Sequence, residues 1–231
     1  MKKPGRKSRS NLIFSLVMLV VCGLLCLIPD AFTNPTSSIP RERVRIDGVD
    51  VRDYPLADLR ARVGMVPQQA VLFRGTIREN MRWGNPEATD EDIWRALAIA
   101  QAKDFVEERE GGLDAIIEQG GRNLSGGQRQ RLTIARALVR EAQILILDDS
   151  ASALDFATDA RLRAAIHRET KGATVFIVSQ RASTIRRADK IVVLDDGHVA
   201  GIGKHEELFE NCPVYREICL SQLSESEVKG A

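Results

Sequence analysis

Apolar positions fall in two rhythms along this chain, and each predicts a different element. Ile144-Leu145-Ile146-Leu147 is an unbroken apolar run, too short for a helix and closed by Asp148 and Asp149. Such a run is the pattern of a parallel strand buried on both faces. Thr174-Val175-Phe176-Ile177-Val178 predicts a further core strand of the same kind. Residues 128–139, Gln-Arg-Gln-Arg-Leu-Thr-Ile-Ala-Arg-Ala-Leu-Val, are amphipathic instead and predict a helix, as do residues 93–100 after an acidic first turn. Both helices carry a start signal, Ser125 with Gln128 and Thr89 with Asp92, each pair spaced as a capping box.

The capping box accounts for Ser125 and Gln128 but leaves Gly126 and Gly127 unexplained. Each glycine costs about 1 kcal/mol of helix propensity relative to alanine, so a pair in a first turn predicts a backbone that something approaches closely. A helix N-terminus with bare N–H groups is an anion site, for phosphate above all. Ligands of parallel sheets sit beyond the carboxyl ends of the strands, which is where Asp148 and Asp149 fall.

Leu124-Ser125-Gly126-Gly127-Gln128 followed by Arg-Gln-Arg-Leu resembles the signature motif of ABC-family ATPases, and the resemblance extends from about Arg43 to the C-terminus. It implies an α/β fold over residues 41–231, a RecA-like P-loop NTPase core of parallel sheet and flanking helices, with an inserted helical subdomain at about 76–140. Residues 144–148 resemble the Walker B strand, and Asp148 is then expected to hold Mg²⁺ through its water shell. Ser152-Ala153-Leu154-Asp155 resembles the D-loop, which in this family meets the partner domain. Val63-Gly-Met-Val-Pro-Gln68-Gln69, followed by Leu72-Phe-Arg-Gly-Thr-Ile-Arg-Glu-Asn80, resembles the Q-loop of exporters, where Gln68 would contact Mg²⁺ and couple nucleotide to the membrane domain. Residues 116–121 sit where exporters carry a loop that touches the transmembrane domains. The resemblance thus implies ATP and Mg²⁺ as cofactors. Nucleotide contacts fall to Gln68, Ser125, Gly126, Gly127, Gln128 and Asp148, and metal contacts to Gln68 and Asp148. Transmembrane permease domains and a second ABC ATPase domain are the implied partners, at the cytoplasmic face of the cell membrane.

Two departures bear on mechanism. The family's catalytic base is a glutamate directly after the Walker B aspartate, whereas Asp149 stands here. One methylene less withdraws the carboxylate by about an ångström, a misplacement that can cost about 10²-fold in rate. The family's switch histidine should follow strand 174–178, where this chain has Ser179-Gln180-Arg181. Glutamine hydrogen-bonds a γ-phosphate but neither carries charge nor titrates near neutral pH. Together Asp149 and Gln180, the expected catalytic pair, resemble the degenerate subunit of heterodimeric exporters. In such pairs each nucleotide lies between the P-loop and Walker B of one chain and the signature of the other. The larger departure is that no Gly-x-x-x-x-Gly-Lys-[Ser/Thr] occurs in the sequence. Gly5-Arg6-Lys7-Ser8 lacks both the glycine spacing and a preceding strand. Without that loop nothing supplies the nest of N–H groups and the lysine that cradle the β- and γ-phosphates.

Residues 1–40 are not family-like. Lys2, Lys3, Arg6, Lys7 and Arg9 lead into residues 12–28, which carry no charge. As a helix that run measures about 25 Å against a hydrocarbon core of about 30 Å. Three readings stand for it: a marginal membrane span, a long signal peptide, and an aberrant start on a truncated or frameshifted gene, which is the one expected. The remainder reads as one α/β domain, since 231 residues suffice to bury a core. A formal net charge of +1 supplies no field for nucleic acid. The four cysteines show neither metal nor disulfide spacing, and His167, His198 and His205 read as structural.

The function expected is that of an ATP-binding subunit fragment of an ABC exporter, contributing its signature to a composite ATP site and itself inactive in isolation. The alternatives are a noncatalytic, membrane-anchored regulatory module and the nonfunctional product of a broken gene.

Overall fold

The computed structural model describes residues 44–150, 152–170 and 172–222. The expectations for residues 1–40, the run at 12–28 included, lie outside them. The described chain opens with a short antiparallel ribbon, β1 (Arg45–Ile46) and β2 (Val49–Asp50), turned by Asp47 and Gly48 at φ 51° and 81°. An Asp-Gly turn with both residues at positive φ matches the twist of the two strands it joins. Two compact units follow from the contacts, Leu56–Gln180 and a second formed, among the described residues, by residues 44–55 with 181–222.

In the unit Leu56–Gln180, helix α1 (Leu56–Arg62) feeds β3 (Val63–Val66). A two-stranded antiparallel pair, β4 (Gly75–Thr76) with β5 (Ile116–Ile117), encloses α2 (Ile77–Arg82), α3 (Asp90–Ile99) and α4 (Lys103–Glu107). Then come α5 (Gly126–Leu138), β6 (Ile144–Asp148), α6 (Phe156–Glu169) and β7 (Thr174–Val178). Three strands form a parallel sheet in the order β3-β6-β7. The central position of β6 explains its apolar run, because Leu145, Ile146 and Leu147 are each at most 3% exposed. β7 lies at the edge of this sheet among the described residues, with Val175 and Ile177 packed on the core and Phe176 51% exposed. The expectation of a core strand thus holds for one of its faces only.

Helix α5 organises the core of this unit. It buries Leu132, Thr133, Ile134, Ala135, Ala137 and Leu138, and the same apolar cluster includes Ile93 and Leu97 of α3 and Leu162 of α6. Both predicted capping boxes form, Ser125 with Gln128 and Thr89 with Asp92, and a third links Thr76 and Glu79 at the start of α2. Each oxygen satisfies an N–H that the first helical turn leaves orphaned, worth about 1 kcal/mol. Gly84 shows how tightly α5 is packed, since a Cβ there would lie 2.1 Å from the Arg136 carbonyl oxygen.

The second unit is built on a hairpin, β8 (Ile191–Asp195) and β9 (His198–Gly203), with a bulge at Val193/Leu194. Helix α7 (Ala182–Ile185) precedes it, and α8 (His205–Asn211) and α9 (Pro213–Gln222) follow. Ile191, Val193, Leu208, Cys212, Tyr215 and Cys219 form its core. His205 is buried there, and its Nδ1 lies 2.9 Å from the Tyr215 hydroxyl. Burial pushes the imidazole below its ordinary pKa, and it raises the Tyr215 hydroxyl and the Cys219 thiol.

Candidate functional site

The carboxyl ends of the three parallel strands carry four of the residues singled out from the sequence. Val66 of β3 pairs with Leu147 of β6, and Asp148 pairs with Val178 of β7. Gln68 therefore follows the end of β3 by two residues, Asp148 closes β6, Asp149 begins the loop after it, and Gln180 follows β7 by two. Adjacent parallel strands necessarily present these ends along one edge, the place where such sheets take ligands. Gln68 is half-buried and Gln180 exposed.

Asp148 is only 4% exposed, and burial raises its carboxyl above the ordinary carboxylate pKa. The protein thus holds a carboxylate whose charged form is under-solvated, a group suited to a divalent cation. Such a shift works against stability at neutral pH. A raised carboxyl contributes stability below its unfolded pKa, and that stability is lost as pH rises through the folded value. Asp148→Asn is therefore expected to melt about 2 °C or more above the parent at pH 7 without metal or nucleotide. Near pH 4 the gap should close. A thermal melt series across pH 4–7 checks this, and a variant that melts lower than the parent at pH 7 contradicts it.

Asp149 adopts a left-handed backbone, φ 42°. Its N–H donates to the Val178 carbonyl at 2.9 Å, and its own carbonyl accepts from the Ser152 N–H at 3.2 Å and the Ser152 hydroxyl at 3.0 Å. Among non-glycine residues aspartate and asparagine tolerate this region best. The tight turn thus favours aspartate over glutamate at the position where the family places its base. The same loop ends at Asp155, whose carboxylate accepts from the Thr158 N–H at 2.9 Å and caps α6.

The signature turn has Ser125 as its N-cap, with Gly126 and Gly127 as the first two helical residues. The Ser125 hydroxyl accepts from the Gln128 N–H at 3.2 Å, and the Gln128 side-chain oxygen accepts from the Ser125 N–H at 3.0 Å. Here the two glycines part company. A Cβ on Gly127 would lie 3.3 Å from the Ala153 carbonyl oxygen and 3.7 Å from Leu154, so the chain's own D-loop leaves little room for a side chain there. A Cβ on Gly126 would meet nothing nearer than the Ala153 Cβ at 4.0 Å. Open approach to the helix N-terminus is thus a property of Gly126, while packing explains Gly127.

Three positioning residues were not given that role from the sequence. Asn80, 1% exposed, accepts from the Phe73 N–H at 2.9 Å and donates to the Phe73 and Thr76 carbonyls at 2.9 and 3.0 Å, pinning the segment that follows Gln68. Asn123 accepts from the Glu118 N–H at 3.0 Å and donates to the Ile116 carbonyl at 2.8 Å, closing the loop before the signature. Arg131 donates to the Gly127 carbonyl at 3.3 Å and to Gln101 at 2.5 Å, with its guanidinium 4.8 Å from the centroid of the Phe105 ring. Asn80 and Asn123 lie inside motifs visible in the sequence, and their side-chain targets are backbone groups that only the folded loops bring near.

The site residues fit Mg-nucleotide in part. Asp148 suits the cation, and Gln68 and Gln180 place hydrogen-bonding groups at neighbouring strand ends. The phosphate cradle has no counterpart, because the sequence contains no glycine-rich loop ending in Gly-Lys-[Ser/Thr]. No hydrolytic step is therefore assigned to the chain alone.

The family model described as ABC transporter matches residues 31–152. A beta-(1→2)glucan export ATP-binding/permease protein of Nitrobacter winogradskyi is 44% identical over 203 residues, covering 88% of this chain and 32% of that protein. An ATP-dependent lipid A-core flippase of Vibrio vulnificus is 43% identical over 183 residues, covering 79% of this chain and 31% of that protein. Among solved structures, a bacterial Atm1-family ABC exporter with ATP bound matches with a TM-score of 0.75 at 36% identity, covering 79% of this chain and 32% of that chain. This chain spans about a third of the length of the curated relatives it matches. With a signature turn, a buried strand-end aspartate and a parallel α/β sheet on one scaffold, and a family model over more than half its residues, the chain belongs to the ABC transporter family and carries the ATP-binding domain fold.

Proposed function

We propose that this chain is an ATP-binding subunit portion of an ABC exporter of the degenerate-site type, lending its signature turn to a nucleotide held by a second ABC ATPase domain. The observation that carries this reading is the asymmetry of the two half-sites. The signature half is complete, with a capped helix whose Gly126 face is open. The strand-end half has Asp148 in place but a short acid, Asp149, on a turn that favours it, and Gln180 where a titratable group would serve catalysis. The chain's own residues then have distinct tasks. Asp148, through its water shell, and Gln68 would hold the cation, Gln180 would hydrogen-bond the nucleotide's terminal phosphate, and Ser125 with the Gly126 N–H would face the partner's nucleotide. Mg²⁺ would supply charge neutralisation on the phosphates when bound.

A permease partner is supported by an exposed aromatic pair just past Gln68. Phe73 and Trp83 are 42% and 68% exposed with ring centroids 4.9 Å apart, and the Arg136 guanidinium lies 5.7 Å from the Phe73 ring. Asn80 locks Phe73 to the segment leading from Gln68, so a domain seated on these rings would sense movement at the strand end. Among the described residues no helix is long and apolar enough to cross a membrane. The exporter relatives, rather than that absence, support a place at the cytoplasmic face against transmembrane permease domains.

The test is solitary catalysis. Purified residues 41–231 are expected to show no Mg-ATPase activity above a mock preparation, because the phosphate cradle is missing and both catalytic positions are altered. Turnover that disappears with Asp148→Ala would overturn the reading.

A further inference from the structure

The core of the second unit holds a run of three polar groups that the nucleotide site does not use. His205, the first residue of α8, is 6% exposed, and Tyr215 and Cys219 of α9 are 1% and 0% exposed. The His205 Nδ1 lies 2.9 Å from the Tyr215 hydroxyl, which is in turn hydrogen-bonded with the Cys219 thiol. The cluster around them is apolar, with Ala182 from α7, Ile191 and Val193 from the β8–β9 hairpin, and Leu208 and Cys212. Packing there is close, since a Cβ on Gly201 would meet Leu208 at 2.8 Å and the Cys212 sulfur at 3.1 Å. Two charged groups act on the imidazole, Arg186 directly after α7 and Glu206 next to it on α8. The hairpin contributes only aliphatic side chains to the cluster.

Such a run has a direction, because a hydroxyl or a thiol has one proton to give. With a neutral imidazole the Cys219 thiol donates to the Tyr215 oxygen, and the Tyr215 hydroxyl donates to Nδ1. A proton on Nδ1 reverses both bonds and leaves a cation in an apolar core, with the like charge of Arg186 beside it. A buried charge without a close partner costs far more than the neutral ring it replaces. We infer that His205 is a proton sensor that releases the helix pair α8–α9 from the β8–β9 hairpin when the surroundings turn mildly acidic. Burial, and after it Arg186, holds the imidazole below its ordinary value of about 6.5. The closed unit therefore binds fewer protons than the open one. Its stability is present in full above that ordinary value and is lost as pH falls through it toward the folded one. A single proton is involved, so opening rises at most about tenfold for each step of one in pH.

Cys219 reports the opening in the full chain, because a fully buried thiol reacts with 4,4′-dithiodipyridine only when its helix leaves the core. Its labelling rate is followed by peptide mass spectrometry between pH 7.5 and pH 5.5, each value divided by that of the same cysteine in the chain unfolded in urea. Tryptophan emission reads the other unit at the same time, since Trp83 and Trp94 both lie in Leu56–Gln180. The normalised rate is expected to rise about fivefold to tenfold across that range while the emission stays constant. His205→Gln keeps an acceptor for the Tyr215 hydroxyl but does not titrate, and should hold the rate level within about twofold. Arg186→Gln removes the like charge and should cut the rise to about half or less, which decides the matter if His205→Gln leaves Cys219 labelled at the unfolded rate. A parent rate that does not rise, a rise that survives unchanged in Arg186→Gln or in a folded His205→Gln, or a rise matched by a change in emission each overturn the inference.

Discussion

Ser125→Arg should lower ATP turnover about 10²-fold in a heterodimer where this chain is completed by an upstream P-loop segment and paired with a domain carrying an intact glutamate and histidine. The competent site of that pair uses this chain's signature. An arginine at the N-cap places bulk and positive charge over the open Gly126 face and removes the hydroxyl that accepts from the Gln128 N–H. Loss of one preorganised donor to the transferring phosphoryl group costs about 10²–10³-fold in comparable sites. Ser125→Ala removes the cap, about 1 kcal/mol of stability, together with the hydroxyl, so the comparison isolates the added bulk and charge of arginine. Alanine removes the cap without the bulk, and its turnover should stay well above that of arginine at equal melting temperature. Unchanged turnover for Ser125→Arg would mean that the signature touches no nucleotide.

In the same heterodimer, with the partner's glutamate disabled, Asp149→Glu combined with Gln180→His should accelerate single-turnover hydrolysis at this chain's own site at least about tenfold. Glutamate returns the carboxylate to reach of the attacking water, and histidine supplies an ionisable partner for the γ-phosphate. General-base catalysis contributes about 10²–10⁴-fold, so the gain demanded is modest. The left-handed backbone at Asp149 opposes part of it, because glutamate is less at ease at φ 42°. Gln180→His carries no such penalty in its exposed position after β7. The histidine variant alone should therefore retain more of its benefit than the glutamate variant alone. A double variant no faster than its parent would show that neither residue limits the site.

Much of this protein was legible before any fold was known, for reasons of short range. An unbroken apolar run ending in acids reads as a buried strand, the ligand role of its carboxylates resting on the resemblance to the family, and β6 closed by Asp148 is that strand. A capping box is a contact between residues three apart, so Ser125 and Gln128 declared the start of α5 without help from the rest of the chain. Gln68 and Gln180 were singled out by resemblance to the family's motifs, and each stands two residues past the end of a parallel strand.

Tertiary structure decided what depends on residues distant in sequence. The two signature glycines look alike locally, yet only Gly127 is pressed by the Ala153 carbonyl from a loop some twenty-five residues on, which leaves Gly126 as the open one. The sequence places Asp149 where a base belongs, and the Val178 carbonyl that takes its N–H and the turn that sets its backbone are products of β6 pairing with β7. Asp148 reads as a metal ligand from its motif, but its raised pKa arises from burial by surrounding elements. Apolar patterning also left β7 ambiguous, because it specifies that a face is to be covered and never by what. Hydrophobicity is non-directional, so the choice of neighbour belongs to packing.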